Sequence, residues 1–289
     1  MEKFTFLIPV YNDWNSLNIL LNQIDKEILS FDDEFNVIIL NDCSTENHSI
    51  NKDKFQKIGS LKIINLRKNL GSQRALAIGL KHIANDNEKT KIILMDSEGE
   101  DDPSMLKEII NFSKKEPKKI ITVNRTKRNE HPIFRLMYEM HYFFTILLTG
   151  KKIRFGNYSL LNSEDLKKLF LNGDLWGAYP ATVVKNFIEI KSLFCERKKR
   201  YSDKTKMNLF ALFFHSLRII SVFKKRVILT SSIYIFLLVM VNLFYNSTFF
   251  VLLIILLVLL NILIFITNLK NNKRHLENYL AYIESIDSI

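Results

Sequence analysis

The sequence predicts an α/β fold: a domain with a mostly parallel sheet, then interfacial helices and a two-helix transmembrane hairpin. Three observations point to that architecture. Short apolar runs alternate with segments of helical periodicity between residues 4 and 123, the pattern of repeated βαβ units. Asn12, Asp42 and Asp96 each follow one of those runs, at the carboxyl strand ends where ligands gather on such sheets. The stretch 227–267 is almost purely apolar, whereas the preceding two-thirds mixes charged and apolar residues.

Residues 4–10 read as a buried strand ending in Pro9-Val10-Tyr11-Asn12. Helical periodicity follows over 14–28 through Leu17, Leu20, Leu21, Ile24 and Ile28. Strands are expected at 36–40 and 61–65. A helix over 72–83, entered through Gly71, has Ala75, Ala77 and Gly79 to permit close packing. The fourth strand is 91–95, the next helix 103–113 with Pro103 at its start, and the fifth strand 120–123. Beyond it, 133–149 reads as a helix rich in Phe, Met, Leu and Tyr. Strands are expected at 156–161 and 188–194, with helical stretches near 163–171 and 181–187, and an amphipathic helix over 207–223. The division is 1–203 for the domain, 204–226 for the interfacial helix, 227–268 for the hairpin and 269–289 for a tail.

The formal net charge is +11, from 41 Lys and Arg against 30 Asp and Glu. Either nucleic acid or an anionic membrane leaflet would answer such a charge. No zinc-finger spacing, aromatic RNA-binding motif or basic helix-turn-helix is present, so the reading is anionic membrane lipid and no nucleic acid. Cys43 and Cys195 are far apart and fit no metal-ligand spacing, as in a reduced, cytosol-facing domain. Met1 leads straight into a strand-like run, and no signal peptide is expected.

Residues 227–245 and 249–266 are each close to the length that spans ~30 Å of hydrocarbon. Lys224, Lys225 and Arg226 precede the pair, Lys270, Lys273 and Arg274 follow it, and the link Asn246-Ser247-Thr248 carries no charge. The positive-inside rule then places both termini and the α/β domain in the cytoplasm. The helices 207–223 and 133–149 are candidates for the inner interface, the second being equally suited to core packing.

The run Asp96-Ser97-Glu98-Gly99-Glu100-Asp101-Asp102-Pro103 follows the fourth strand. Alternating carboxylates with Gly99 to turn the chain suit a hard cation, Mg²⁺ or Mn²⁺, carrying a substrate phosphate. Asp96 and Glu98 would hold the ion, and Glu100 would complete the cage or orient a sugar hydroxyl. The same loop also suits a solvated cap on the helix at Pro103. Asp42 can accept from a base imide or a ribose hydroxyl while the 9–12 turn lines a base pocket; Asn-Asp-Cys-Ser-Thr is equally an ordinary turn. Asn69-Leu70-Gly71-Ser72-Gln73-Arg74 either helps to hold a nucleotide or makes a tight strand-to-helix turn. Arg125, Arg128, Arg135, Arg200, Lys204 and Lys206 supply cations for phosphates or a basic face for lipid. His48, His82, His131, His141, His215 and His275 show no ligand or nucleophile pairing, so core or surface roles are expected for them.

Several motifs together carry a family resemblance. They are Ile8-Pro9-Val10-Tyr11-Asn12, Asn41-Asp42-Cys43-Ser44-Thr45, Asn69-Leu70-Gly71-Ser72-Gln73-Arg74-Ala75, the acidic run from Met95 to Pro103, Phe155-Gly156-Asn157-Tyr158-Ser159, and Arg200-Tyr201-Ser202-Asp203-Lys204-Thr205-Lys206-Met207. The chain resembles the family-2 glycosyltransferases, specifically the membrane-anchored polyprenyl-phosphate type that includes the dolichol-phosphate mannose synthases. The resemblance implies a nucleotide-sugar-binding, Rossmann-like fold for the α/β domain and a metal-dependent, inverting transfer from a nucleotide sugar. It implies nucleotide-sugar contacts at Pro9, Tyr11, Asn12, Asp42, Gly71, Arg74, Asp96, Arg200 and Lys206. It also implies metal ligation by Asp96, Glu98 and Glu100, and catalytic roles for Asp96, Glu98, Arg125 and Arg135, the two arginines meeting the acceptor phosphate. Glu98 stands where relatives usually carry Asp, Glu100 where many carry Gln, and Asp203 where a small residue is expected.

The expectation is therefore a bacterial inner-membrane, multi-pass glycosyltransferase moving a sugar from a UDP-, GDP- or dTDP-sugar to polyprenyl phosphate at the cytoplasmic face. A homo-oligomer is compatible with it. One alternative is transfer to a glycan hydroxyl, for which Asp174 or Glu189 would be the base. Another is a non-catalytic membrane protein that binds nucleotide sugar or anionic lipid.

Overall fold

The computed structural model describes the chain apart from residues 48–49, 127–131 and 203–208. Its elements run in chain order β1 (Lys3–Val10), α1 (Trp14–Ile28), β2 (Glu34–Asn41), β3 (Ile58–Leu66), α2 (Ser72–Asn85), β4 (Lys91–Leu94), α3 (Leu106–Lys115) and β5 (Ile120–Arg125). They continue with α4 (Pro132–Thr149), β6 (Phe155–Asn162), α5 (Leu166–Leu169), α6 (Tyr179–Asn186), β7 (Ile190–Cys195) and α7 (Leu209–Ser221). Last come α8 (Lys224–Tyr245), α9 (Thr248–Leu269), α10 (Lys273–Glu277) and β8 (Ile283–Ser288).

One eight-stranded sheet has the order β7-β5-β6-β4-β1-β2-β3-β8. The pairs β1–β2, β1–β4, β2–β3 and β5–β7 are parallel, while β6 and β8 run against their neighbours. Along β1 the side chains alternate between two cores, as pleating requires. Phe4, Phe6, Ile8 and Val10 pack with α1 and α3 on one face, and Leu7 packs with α2 on the other. The small residues of α2 let it lie close to the sheet. A Cβ on Gly79 would come within 2.7 Å of Leu7 and 2.8 Å of Leu40.

Two elements differ from the sequence expectation in a way that matters for the site. The strand β6 inserts antiparallel between β4 and β5, pairing Ile93 with Leu160 and Ile121 with Leu160. Its amino-terminal end therefore meets the carboxyl ends of its neighbours. The segment expected as a tail instead folds back: β8 pairs with the edge strand β3, Ile64 opposite Ile286. Leu276, Tyr279 and Ile283 are buried in the α2-side core, and His275 stacks on Trp176 at 4.9 Å between ring centroids.

α8 and α9 form a helical pair with a tight link. Asn246 takes the left-handed conformation at φ 43° and the Ser247 hydroxyl caps Phe249 N–H at 3.3 Å. Between the helices, Ser231 and Asn261 exchange hydrogen bonds of 3.0 and 2.8 Å, so each polar side chain finds its partner inside the pair. Among the described residues these two helices are long and apolar enough to cross a membrane.

Candidate functional site

The carboxyl ends of β1, β2, β4 and β5 and the amino-terminal end of β6 surround a cleft of about 330 Å³. Pro9, Tyr11, Asp42, Asp96, Glu98, Glu100, Arg125 and Arg200 all line it, which gathers most of the residues expected from the sequence. Asn12 and Gly71 brace its walls. Asn12 takes φ 48° and its amide oxygen accepts from Thr45 N–H at 2.8 Å, joining the ends of β1 and β2. Gly71 N–H and Leu70 N–H donate to the two Asp42 carboxylate oxygens at 2.8 and 2.7 Å, fixing the turn into α2 against β2. Burial raises the Asp42 pKa although both amides favour its charged form.

Other expected residues lie elsewhere. The Arg74 guanidinium sits over the Trp176 ring at 5.6 Å and does not line the cleft. Arg135 is exposed on α4, also away from the cleft lining. Arg128, Lys204 and Lys206 fall outside the described residues. Neither proposed base reaches the cleft: Asp174 is paired with Lys185 at 2.6 Å, and Glu189 is exposed.

The acidic loop is organised by arginines. Arg125 reaches Asp101 at 3.1 Å, Asp96 at 3.4 Å and Glu100 at 3.7 Å. Burial opposes its charge, but Asp101, Asp96 and Glu100 more than offset this and raise its pKa. Arg200 holds Glu98 at 2.6 Å and Glu100 at 2.7 Å, and Arg197 pairs with Glu100 as well. Burial pushes Glu98 up to about 7; Arg200 opposes that shift, while Asp96, Glu100 and Asp13 reinforce it. Asp101, with a side chain only 2% exposed, is pushed up to about 6 by burial, against the pull of Arg125.

These pairings decide how a divalent cation would be held. Glu100 is engaged by arginines, and no group of three His, Cys, Asp or Glu side chains among the described residues is arranged to hold an ion. The expected three-carboxylate cage is thus not drawn together. Among the described residues, Asp96 and Glu98 each meet a single arginine, Arg125 at 3.4 Å and Arg200 at 2.6 Å, against three on Glu100, and their mutual repulsion is what a dication would relieve. One or two carboxylates plus substrate phosphate is the usual way Mg²⁺ is bound, so the donor set fits such an ion.

Four cleft residues, Gln73, Asn157, Arg197 and His215, and the buried Asp101 behind them were given no site role by the sequence reading. Asn157 donates to Asp96 at 2.7 Å and accepts from Gln73 at 2.8 Å, and Gln73 in turn accepts from Tyr179 N–H at 2.8 Å. Asp101 accepts from Asp96 N–H at 2.9 Å. Arg197 belongs to the dense basic run 197–200, which was the available signal. His215 arrives from α7 and lines the cleft.

Segment 197–201 straps the loop in place through Lys198 N–H to Glu100 O at 3.2 Å and Tyr201 N–H to Glu98 O at 3.1 Å. Gly99 takes φ 83°, and a Cβ there would lie 2.2 Å from the Tyr201 ring. Gly99→Ala should cost on the order of 1–3 kcal/mol of stability and displace this strap. A lowered thermal midpoint together with reduced turnover is the expected result; an unchanged midpoint would show that the contact yields freely.

Comparison with known proteins now gives the family. The profile described as Glycosyl transferase family 2 matches residues 5–177, and the chain belongs to that family. It is 23% identical over 222 residues to an uncharacterized glycosyltransferase of Synechocystis sp., covering 73% of this chain and 66% of that one. It is 21% identical over 168 residues to CsbB of Bacillus subtilis, also named as a glycosyltransferase, covering 57% of this chain and 50% of the relative. The chain thus spans between half and about two-thirds of these relatives. Among solved structures, glucosyl-3-phosphoglycerate synthase from Mycobacterium tuberculosis, in complex with Mn²⁺, UDP and glucosyl-3-phosphoglycerate, superposes with a TM-score of 0.56 at 12% identity, covering 78% of this chain and 80% of that one. Its complex with Mn²⁺, UDP and phosphoglyceric acid gives 0.57 at 12% identity, covering 78% of each chain. The shared feature is the α/β GT-A fold.

Proposed function

We propose that the protein transfers a sugar from a nucleotide sugar to a polyprenyl phosphate at the cytoplasmic face of a bacterial membrane. The observation that carries the reading is the cleft itself. An acidic loop at the tip of β4 is interlocked with three arginines, and α7, which leads directly into the apolar helix pair, forms part of the wall. Pro9, Tyr11 and Asp42 form the nucleotide end, and a structural neighbour holds UDP with Mn²⁺ in the same fold. Mg²⁺ or Mn²⁺ on Asp96 and Glu98 would neutralise charge on the diphosphate.

The acceptor phosphate oxygen forms the bond to the anomeric carbon. The bond from that carbon to the diphosphate oxygen breaks, its electron pair leaving on the nucleoside diphosphate, with inversion. Arg200 and Arg197 lie where they can exchange a carboxylate partner for diphosphate oxygens. Arg125 fixes the carboxylates against which the donor is oriented. A phosphate acceptor is already anionic near neutral pH, so no base has to remove a proton. Asp174 and Glu189, the bases considered for a hydroxyl acceptor, do not line the cleft.

Membrane attachment is supported by exposure. Phe236 is 63%, Leu243 72% and Leu256 63% exposed along α8 and α9, a surface that water would penalise heavily. Both ends of the pair join the globular domain, α8 following α7 and the chain after α9 returning to β8. An even number of crossings satisfies that connection, with Lys224–Arg226 and Lys270–Arg274 on the same side.

The test is incubation of detergent-solubilised full chain and undecaprenyl phosphate with labelled UDP-, GDP- and dTDP-sugars in Mg²⁺ or Mn²⁺. Label is expected in a lipid fraction that mild acid cleaves. Label only in an acid-stable glycolipid, or none with any donor, would overturn the proposal.

A further inference from the structure

Resting on the polyprenyl-phosphate reading, we infer that His215 donates a hydrogen bond to the acceptor's phosphate and so positions it for attack. The pairing of the cleft arginines shows why another donor is wanted. Arg125, Arg197 and Arg200 are all engaged by carboxylates of the 96–101 loop. His215 comes from α7 rather than from that loop or its strap, and it is the imidazole that lines the cleft among the described residues.

The helix that carries it has two distinct faces. Phe210 is 77% exposed, Phe213 45% and Phe214 53%, an apolar surface suited to the acyl boundary of a leaflet. His215 and Ile219, four residues apart and so on one face of the helix, line the cleft together. A phosphate on a lipid tail can therefore reach the cleft along α7 while its hydrocarbon stays beside the phenylalanines. Phe155 and Pro180 add apolar surface to the cleft lining.

The chemistry of the ring fits that task. Partial burial, reinforced by Arg218 and opposed by Asp96, brings His215 down to about 4. Near neutral pH it is the uncharged tautomer, with one N–H donor and one acceptor nitrogen. It can hold a phosphate oxygen without neutralising the nucleophile, which a cation in its place would do. Asp96 and His215 line the same cleft.

The experiment compares His215→Ala, His215→Asn and His215→Gln in the full chain, using undecaprenyl phosphate and whichever labelled donor the wild type accepts. His215→Ala should raise the KM for undecaprenyl phosphate about tenfold or more, the effect of losing a hydrogen bond to a charged group. The KM for the nucleotide sugar should stay within about twofold, since no change is made at that end. One amide variant should restore the acceptor KM: Asn if Nδ1 is the donor, Gln if Nε2 is. An unchanged acceptor KM in His215→Ala would overturn the inference, as would equal damage to both substrates or the failure of both amides to improve on Ala. Lack of transfer by the wild type would instead count against the acceptor proposal itself.

Discussion

Asp96→Asn is expected to lower turnover by about 10³-fold or more, roughly 4 kcal/mol of transition-state stabilisation, while thermal stability and membrane association stay as in the wild type. Asp96 is placed with unusual care. Asn157 Nδ2–H donates to one carboxylate oxygen at 2.7 Å, Arg125 approaches the other at 3.4 Å, and Asp101 accepts from its backbone N–H. An amide keeps the shape and can still accept from Asn157, so the packing survives. What vanishes is the negative charge that would hold a divalent ion against the diphosphate. Arg125 keeps Asp101 and Glu100, so its burial remains compensated. Initial rates with the labelled donor, beside a thermal unfolding curve and a membrane-pelleting assay, separate the two effects. Wild-type turnover would refute the metal assignment.

Much of this arrangement can be read directly in the chain, for a definite reason. β1, β2 and β4 are continuous apolar runs because both faces of the sheet are covered, and each ends in a polar residue at the ligand edge. The helix α1 shows its period in Leu17, Leu20, Leu21, Ile24 and Ile28, all fully buried. Local pattern is silent where the answer depends on who sits beside whom. Asn157 meets Asp96 only because β6 runs antiparallel between β4 and β5, and nothing in Phe155-Gly156-Asn157 declares that direction. β8 has few apolar residues, Ile283 and Ile286 out of alternation, since an edge strand buries little; all of it beyond Ile283 is exposed. The neutralisation of Glu100 by Arg197 and Arg200 depends on a strap about a hundred residues later in sequence.

That return of the chain also changes how the membrane segment can be studied. Removing residues 227–289 would delete β8 and take Leu276, Tyr279 and Ile283 out of the α2-side core. It would also uncover the β3 edge and Trp176, so any loss of acceptor affinity would be mixed with unfolding. Comparing long-chain and short-chain polyprenyl phosphates on the intact chain avoids this.

Arg125→Met should be the most damaging single change to stability as well as to turnover. The guanidinium is 14% exposed and serves Asp96, Glu100 and the nearly inaccessible Asp101. Removing the partner of a buried charge typically costs ~3–5 kcal/mol, which for a chain of this size is a fall in Tm on the order of 10 °C. Asp101 can escape by taking up a proton. Its folded pKa of about 6 already exceeds the ordinary value of 3.8, and loss of Arg125 removes the influence holding it down. A carboxyl whose folded pKa is raised favours the folded state at low pH and disfavours it as pH rises through that pKa. The deficit of Arg125→Met should accordingly be small near pH 5 and full near pH 8, a window that follows from Asp101 alone. The double variant Arg125→Met with Asp101→Asn removes both buried charges and should regain much of the lost Tm. It should not regain turnover, because Asp96 then lacks the cation that orients it. If the double variant were no more stable than the single one, the Arg125–Asp101 pair would not be what holds this loop to β5.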